Sequence, residues 1–313
     1  MPKKTRSGSV PSSSKRSSLS LLPSKSANLK SKKTANGKAV SGISDLPLSK
    51  WKEYDDIWTD SLWMMGNRDK SGGHDGFYHG NFVPQIPHQM LRRYTAAGDV
   101  VLDLFLGSGT TLIEAKRLGR SGIGVELLPE VAKIARNAIT KQKATSDSSK
   151  KMFSHVVTGN SASTTSRKKV EKVLAEHNRD MVDFIILHPP YHDIIKFSDN
   201  KNDLSNAESV DDFVRNFGTV VQNFLPLLRN KHYMAIVIGD KYAESKWIPL
   251  GFNLMDEIMR NNPGLALKSI VVKNMINNRA KRNRENLWRY RALAGGFYVF
   301  RHEYILLFQK LKS

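Results

Sequence analysis

The chain has 313 residues, of which 40% are hydrophobic, and its formal net charge is +20. This length holds one large domain or two small ones with a sizeable core. No segment approaches the roughly 18 apolar residues that a membrane span requires, and the N-terminus lacks the apolar stretch of a signal peptide. We therefore expect a soluble intracellular protein without membrane contacts.

The sequence contains no cysteine. Thiolate nucleophiles, cysteine metal sites and disulfide bonds are therefore excluded. One reaction is excluded with them, because methylation of the cytosine ring at carbon 5 proceeds through a covalent cysteine adduct. We predict no bound metal.

The positive charge indicates a polyanionic partner, because clustered Lys and Arg gain affinity by displacing counterions from phosphates. Residues 1–50 carry eleven Lys or Arg and a single acid, Asp45, and so hold half of the net charge. This segment is rich in Ser and Lys without periodicity, so we predict a disordered basic tail (1–50) before one domain (51–313). A solubilising leader and a nonspecific nucleic-acid arm are both open readings of the tail.

From Trp51 onward, strand-like and helix-like segments alternate, which is typical of a parallel sheet with helices on both faces. Seven strands are predicted, at 100–105, 122–127, 155–158, 183–187, 234–239, 269–273 and 304–309. Helices are predicted at 111–118, 129–139, 167–176, 211–228 and 249–260. The prediction is a doubly wound, mostly parallel α/β fold with a small basic insertion, 273–301, before the last strand.

The first predicted strand leads into Asp-Leu-Phe-Leu-Gly-Ser-Gly-Thr-Thr at 103–111. Gly107 and Gly109 allow backbone N–H groups to approach a ligand at the N-terminus of the next helix. Glu126 ends the following strand, where a carboxylate accepts both hydroxyls of a ribose. The loop lacks the third glycine of dinucleotide sites and the Gly-Lys-Ser/Thr of phosphate-binding loops. A nucleoside cofactor is indicated, and nicotinamide and ATP are disfavoured.

Asn160 follows the next predicted strand along the chain, in the sequence Val-Thr-Gly-Asn-Ser. At that position an amide side chain is suited to recognise the adenine amine of the cofactor. A simple polar turn is the alternative for this residue.

The sequence Leu-His-Pro-Pro-Tyr at 187–191 closes the apolar run 184–187. An aromatic NH2 group is a poor nucleophile, because its lone pair is delocalised into the ring. Hydrogen bonds from this amine to the His188 side chain and the Pro189 carbonyl would free the lone pair for attack. Pro189 and Pro190 fix the backbone, and Tyr191 offers a ring on which a base stacks. The block predicts an amino-methyltransferase.

Together, these motifs resemble the S-adenosylmethionine-dependent DNA amino-methyltransferases that act on cytosine N4 or adenine N6. The loop at 103–110 and the Pro-Pro-Tyr at 189–191 carry the resemblance, which extends from about residue 58 to 310. The cofactor loop precedes the catalytic block, as in the gamma arrangement of this family. The DNA-recognition region is then expected late in the chain.

The resemblance implies a Rossmann-like methyltransferase fold, S-adenosylmethionine as cofactor and a flipped base in double-stranded DNA as substrate. It implies a cofactor site built from Asp103, Phe105, Gly107, Ser108, Gly109, Thr110, Glu126 and Asn160. The stretch 79–87 is expected to close over the methionine end. A companion restriction endonuclease is a possible partner, the oligomeric state is open, and the location is cytoplasmic at the nucleoid, or nuclear in a eukaryote.

His188 departs from the family pattern, which usually has Asp, Asn or Ser at this position. An imidazole accepts a hydrogen bond from an amine only when it is neutral and in the appropriate tautomer. We therefore expect the rate to fall as the pH drops through the His188 pKa. Cytosine N4 is slightly favoured over adenine N6, because His188 is not the Asp that points most firmly to adenine.

The segment 273–301 mixes cations, amides and aromatic residues, which suits contacts with phosphates and bases. A basic, solvated hairpin is the alternative. The predicted DNA-binding residues are Lys196, Arg279, Arg282, Arg284, Arg289 and Arg291. An RNA or protein-amide methyltransferase and a non-catalytic basic DNA-binding protein are the other functions left open.

Overall fold

The structure, a computed structural model, describes residues 43–71, 74, 80–143, 152–275 and 285–312. Most of the predicted tail, residues 1–42, lies outside the described residues. Asp45 is described and contacts the domain, with its carboxylate 2.9 Å from Arg120 Nη2. It also accepts a 3.2 Å hydrogen bond from the backbone N–H of Ala97.

Ten strands are described. They are β1 (Leu62–Trp63), β2 (Val100–Asp103), β3 (Ser121–Glu126), β4 (Ser154–Thr158), β5 (Val182–Leu187), β6 (Leu228–Ile238), β7 (Lys241–Ala243), β8 (Lys246–Ile248), β9 (Leu265–Asn274) and β10 (His302–Lys310). Eight form one sheet in the order β1-β9-β10-β6-β5-β2-β3-β4, and β7 and β8 form a separate hairpin.

The prediction of a mostly parallel sheet is confirmed, because β6, β5, β2, β3 and β4 all pair in parallel. Only β10 runs antiparallel to its neighbours, β6 and β9. The predicted count of seven strands is wrong, since the sheet has eight. The eighth, β1, pairs with β9 through two residues, which is too short for an alternating pattern.

Seven α-helices are described. They are α1 (Gln85–Tyr94), α2 (Thr110–Arg117), α3 (Pro129–Lys141), α4 (Thr164–Glu176), α5 (Val210–Phe224), α6 (Leu250–Asn261) and α7 (Glu285–Gly295). Ser209 caps α5 by accepting a 3.1 Å hydrogen bond from the Asp212 N–H. The helix ends at Phe224, earlier than the predicted 228, because Pro226 lies within a short 3-10 turn that leads into β6.

Each central strand is buried on both faces, so its side chains alternate between two apolar layers. On β2, Val100 and Leu102 pack with the layer that holds α4, α5 and α6, whereas Val101 packs with the layer that holds α1. On β6, Met234 packs with the first of these layers and Ala235 with the second. The helices therefore cover both faces, as the doubly wound prediction requires.

Among the described helices, none is both long and apolar enough to cross a membrane.

Candidate active site

The two sequence motifs meet because β2 and β5 are adjacent and parallel. Asp103, the last residue of β2, lies opposite Ile186 of β5, and the Leu104 N–H donates a 3.3 Å hydrogen bond to the Ile186 carbonyl. The loop 103–110 and the block 188–191 thus leave the carboxyl edge of the sheet side by side. Ligands bind at this edge in open α/β sheets.

The loop after β2 is held by two hydrogen bonds near its start. The Asp103 carboxylate accepts a 3.0 Å hydrogen bond from the Phe105 N–H, which turns the chain at the strand end. The Ser161 hydroxyl donates a 2.7 Å bond to the Leu104 carbonyl. Gly107 and Gly109 have φ values of 54° and 95°, in the left-handed region that favours glycine. The backbone therefore enters α2 at Thr110 through a tight, preformed turn.

Glu126 ends β3 and faces this loop. Its carboxylate accepts hydrogen bonds from the Gly107 N–H at 2.8 Å and the Leu128 N–H at 3.0 Å. Burial is the main cause that raises the Glu126 pKa to about 7, and the nearby Asp103 charge also contributes. The two hydrogen bonds act in the opposite direction and lower the pKa. Burial also raises the Asp103 pKa to about 6. Two buried carboxyl groups of this kind fit a ligand that brings its own hydroxyl donors.

Asn160 lies just beyond β4, as predicted. Its side-chain oxygen accepts a 2.9 Å hydrogen bond from the Ala162 N–H, which forms a local polar turn. This hydrogen bond is the simple polar turn that the sequence analysis gave as the alternative role of Asn160. Recognition of the cofactor by this residue stays a prediction.

The segment before α1 contacts the cofactor loop directly. Asn81 Nδ2 donates a 2.5 Å hydrogen bond to the Ser108 hydroxyl. Arg68 Nη1 donates to the Phe82 carbonyl at 3.0 Å and so ties this segment to the preceding chain. Part of the stretch 79–87 thus reaches the loop, whereas His79 lies outside the described residues.

His188 follows β5 and is half-buried between aromatic rings. Its Nε2 lies 3.1 Å from the Tyr191 hydroxyl oxygen, and the Phe82 ring meets it edge-on with centroids 4.8 Å apart. Tyr191 packs against bare backbone, since a Cβ on Gly239 would lie 2.8 Å from its ring. Between His188 and Tyr191 in the sequence, Pro189 is buried. The four-residue block is therefore fixed between the segment before α1 and the end of β6.

Electrostatics keep His188 neutral. Burial lowers its pKa to about 4, against a smaller opposing effect of the Glu303 charge. Burial raises the Tyr191 pKa well above its ordinary value, and the Glu303 carboxylate adds to this through its charge and hydrogen bonding. An uncharged imidazole and an uncharged phenol thus flank the two prolines at neutral pH.

An ion pair that was not predicted from the sequence lies beside this block. Lys273 of β9 and Glu303 of β10 are directly paired in register, and their Nζ and Oε2 atoms are 2.6 Å apart. Lys273 is buried and Glu303 is half-buried, with side chains 7% and 15% exposed. The only sequence signal was a charged residue in each of two otherwise apolar segments.

The chain after Tyr191 makes a second polar cluster. His192 has a φ of 52° and is buried, and its Nδ1 lies 2.8 Å from Lys241 Nζ. Lys241 also pairs with Asp193 at 2.5 Å. Lys196, predicted to contact phosphate, is exposed and forms a 2.5 Å ion pair with Asp199.

The predicted DNA-binding arginines fall in two groups. Arg279, Arg282 and Arg284 lie outside the described residues. Arg289 and Arg291 are exposed on α7, a helix that the sequence analysis did not predict. The Arg291 guanidinium lies 5.4 Å from the centre of the Trp288 ring.

Comparison with known proteins agrees with this geometry. The model of a family described as DNA methylase, covering N6 and N4 enzymes, matches residues 12–137 and 182–313. The chain belongs to the DNA methylase family. Membership confirms the predicted amino-methyltransferase resemblance and S-adenosylmethionine as the cofactor.

Similar curated proteins include type II methyltransferases. M2.DpnII of Streptococcus pneumoniae is 36% identical over 102 residues, which is 31% of this chain and 35% of that protein. M.MjaII of Methanocaldococcus jannaschii is 38% identical over 64 residues, or 20% of this chain and 12% of that protein. The chain thus spans about a third or less of these relatives. Among solved structures, TrmN from Thermus thermophilus is 16% identical with a TM-score of 0.43, covering 74% of this chain and 50% of that one.

The Glu126 carboxyl gives a testable pH dependence for cofactor binding. An ionised carboxylate accepts both ribose hydroxyls, so we expect affinity for S-adenosylmethionine to rise as the pH increases through about 7. Glu126→Gln should weaken binding by roughly tenfold or more and remove this pH step. Isothermal titration calorimetry at several pH values measures both effects.

The free protein provides the control for this variant. The raised pKa means that the folded protein holds a proton that the unfolded chain releases, so stability falls as the pH rises from 4.5 towards about 7. Glu126→Gln should therefore keep or raise the melting temperature at about pH 8 while binding is lost. Equal affinity and equal pH dependence in parent and variant would contradict the ribose role.

Proposed function

We propose that the protein transfers the methyl group of S-adenosylmethionine to an exocyclic amine of a base in double-stranded DNA, with cytosine N4 slightly favoured over adenine N6. The observation that carries this proposal is the junction of β2 and β5. A nucleoside-type loop and an amine-binding block leave adjacent strands there.

The proposed cofactor site has three parts. Glu126 accepts the ribose hydroxyls, and Asn160 lies by the adenine. The turn from Asp103 through Phe105, Gly107, Ser108 and Gly109 to Thr110 surrounds the remainder. Bound S-adenosylmethionine supplies a methyl group on a positively charged sulfur. The left-handed Gly107 and Gly109 support a tight turn that leads into α2, and the buried Glu126 supports a site that expects hydroxyl donors.

The proposed amine site is the block 188–191. The Pro189 carbonyl and the neutral His188 ring accept hydrogen bonds from the amine, which restores its lone pair. Tyr191 stacks on the base, and the fixed prolines hold the nitrogen in line with the methyl group. Both acceptors act without removing a proton before the attack. A base in a duplex must first be flipped out of the stack to reach this block.

The proposed DNA contacts are basic side chains that the sequence predicts for this role. Arg289 and Arg291 on α7 are described, together with Lys196 after the catalytic block. Arg279, Arg282 and Arg284 belong to the same proposal. The net charge of +20 supports a polyanionic substrate. A companion endonuclease is part of the proposal, since curated relatives include a probable type III restriction-modification Mod subunit.

In the direct test, the enzyme and labelled S-adenosylmethionine are incubated with equal amounts of duplex DNA, RNA and total cellular protein. Label in DNA, followed by N4-methylcytosine in nucleoside digests, is the expected result. N6-methyladenine alone would overturn the base preference. Label confined to RNA or protein would overturn DNA as the substrate, and no transfer to any of them would favour a non-catalytic DNA-binding protein.

The His188 pKa predicts where the acid limb of the rate lies. An imidazolium has no lone pair for the amine, so transfer should fail only as the pH approaches about 4. At saturating DNA and cofactor, we expect a constant single-turnover rate from about pH 8 down to about pH 5.5. His188→Ser serves as the control, because it retains an acceptor that does not titrate. A fall centred near the ordinary value of 6.5 in the parent, absent from the serine variant, would contradict the lowered pKa of His188.

The two described arginines of α7 test the DNA surface. The double variant Arg289→Glu/Arg291→Glu should weaken duplex binding and lower the salt slope of the binding constant by about two. Fluorescence anisotropy at several salt concentrations measures this slope. Lys172→Glu, an exposed charge reversal on α4, is the matched control and should leave DNA affinity nearly unchanged. Loss of S-adenosylmethionine affinity in the arginine variant, or an unchanged salt slope, would contradict the assignment.

A further inference from the structure

The segment 239–241, which runs from the end of β6 into β7, contacts two successive residues, Tyr191 and His192. A Cβ on Gly239 would lie 2.8 Å from the Tyr191 ring, so this ring packs against bare backbone. Two residues further on, Lys241 Nζ lies 2.8 Å from His192 Nδ1. One short stretch of chain therefore holds both Tyr191 and the residue that follows it.

Both ring nitrogens of His192 have partners whose hydrogen-bonding roles are fixed. Nε2 lies 3.1 Å from the Ala207 carbonyl oxygen, which can only accept, so Nε2 carries a proton. Nδ1 faces the Lys241 ammonium group, which can only donate, so Nδ1 is the accepting nitrogen. The buried ring is thereby fixed in one orientation, between a carbonyl and a cation.

Asp193 makes the lysine contact a bridge. Its Oδ1 lies 2.5 Å from Lys241 Nζ and 3.1 Å from His192 Nδ1. Two acceptors this close to each other need a donor in common, and the ammonium group has three N–H bonds to give. The Asp193 side chain is 59% exposed, whereas that of Lys241 is 7% exposed. Water screens the outer contact with Asp193, so the buried contact with His192 is the stronger restraint.

The backbone of His192 is in a conformation that these ring contacts stabilise. Its φ of 52° lies in the left-handed region, which a residue with a Cβ enters at a cost. Such a conformation persists where the surrounding structure fixes it. Because His192 comes directly after Tyr191, this turn sets the direction in which the chain leaves the tyrosine.

The segment 239–241 is itself anchored through Asp240, which is buried. The Asp240 carboxylate accepts a 2.8 Å hydrogen bond from Trp247 Nε1 in the β7–β8 hairpin. It also accepts from the Gly251 N–H of α6 at 3.1 Å and from the Tyr304 hydroxyl of β10 at 3.3 Å. The support behind Tyr191 is therefore tied both to the main sheet and to a helix that covers it.

We propose that Lys241 is a positioning residue that acts through the His192 ring to hold the turn after Tyr191, and with it the Tyr191 ring. This inference rests on the proposed function, in which that ring stacks on the target base. Gly239 leaves space for the ring, and Lys241 restrains the next residue. Lys241 then controls the rate of methyl transfer through the placement of the base, with no effect on cofactor affinity.

A double-mutant cycle tests whether Lys241 acts through His192. Lys241→Met removes the donor and leaves no buried charge unpaired, because Asp193 is exposed. It should slow single-turnover transfer at saturating DNA and cofactor by about 10- to 100-fold. In His192→Gly, which lacks the ring, adding Lys241→Met should change the rate by less than about twofold. Equal losses in the two backgrounds would overturn the inference.

The control for this cycle is Lys246→Met, an exposed position on the same hairpin. It removes the same charge without a contact to His192, so the transfer rate should stay at the parent value. Calorimetry with S-adenosylmethionine should give equal affinities for the parent, Lys241→Met and Lys246→Met. A loss of cofactor affinity confined to Lys241→Met would contradict its action through the turn.

A matched pair at position 192 tests the turn itself. His192→Gly and His192→Ala lose the same ring contacts and differ by one methyl group, but glycine alone adopts a positive φ without a steric cost. Circular dichroism will verify that both variants fold. The glycine variant should be the faster of the two, and an equally fast or faster alanine variant would contradict the role of the left-handed turn.

The last readout needs no DNA. With isotope-labelled tyrosine, the ring NMR signals of Tyr191 are assigned by their loss in Tyr191→Phe. They should shift and broaden in Lys241→Met and keep the parent positions in Lys246→Met. Unchanged Tyr191 signals in Lys241→Met would overturn the inference. If the signals respond to Lys241 in a protein that fails to methylate DNA, the proposed function is refuted and the support of Tyr191 by Lys241 stands.

Discussion

The parallel pairing of β2 with β5 is the constraint on which the site depends. It sets Asp103 opposite Ile186, so the strands end at the same level and the loop 103–110 and the block 188–191 emerge together. The two motifs are about eighty residues apart in the sequence. Backbone hydrogen bonds in a sheet that is buried on both faces nevertheless hold the two motifs side by side. A one-residue slip of either strand would move every side chain to the opposite layer.

Burial determines the charge states around this edge. The same exclusion of water raises the pKa of the acids Asp103 and Glu126 and lowers that of the base His188. The free protein thus holds carboxyl groups that keep their protons to a higher pH than usual, and an imidazole that stays neutral. Such an arrangement lowers the stability of the free protein in favour of binding.

Much of the fold was predictable because its signals are local. Continuous apolar runs predicted the strands from β2 to β6, and the glycine turn and the Pro-Pro-Tyr predicted the candidate site. Other strand limits were harder to predict: β1 has two residues, and β6, β9 and β10 extend beyond the apolar segments that predicted them. Helix α1 was missed because Pro87 lies inside it, in its first turn, where proline is tolerated.

The polar environment of the catalytic block was not predictable from sequence. Lys273 and Glu303 lie thirty residues apart, and only the antiparallel register of β9 and β10 makes them a pair. The effect of the pair on Tyr191 depends in turn on where β10 inserts, beside β6. A charged residue in an apolar strand ordinarily marks an edge strand or the end of a strand. Its pairing with another charged residue is visible only in the assembled sheet.

A crystal structure with S-adenosylhomocysteine tests the central claim, that one sheet edge holds both the nucleoside and the amine site. The account predicts ribose hydroxyls on the Glu126 carboxylate and the sulfur directed at the block 188–191. A nucleoside bound away from Glu126, or a sulfur facing away from Tyr191, would contradict it.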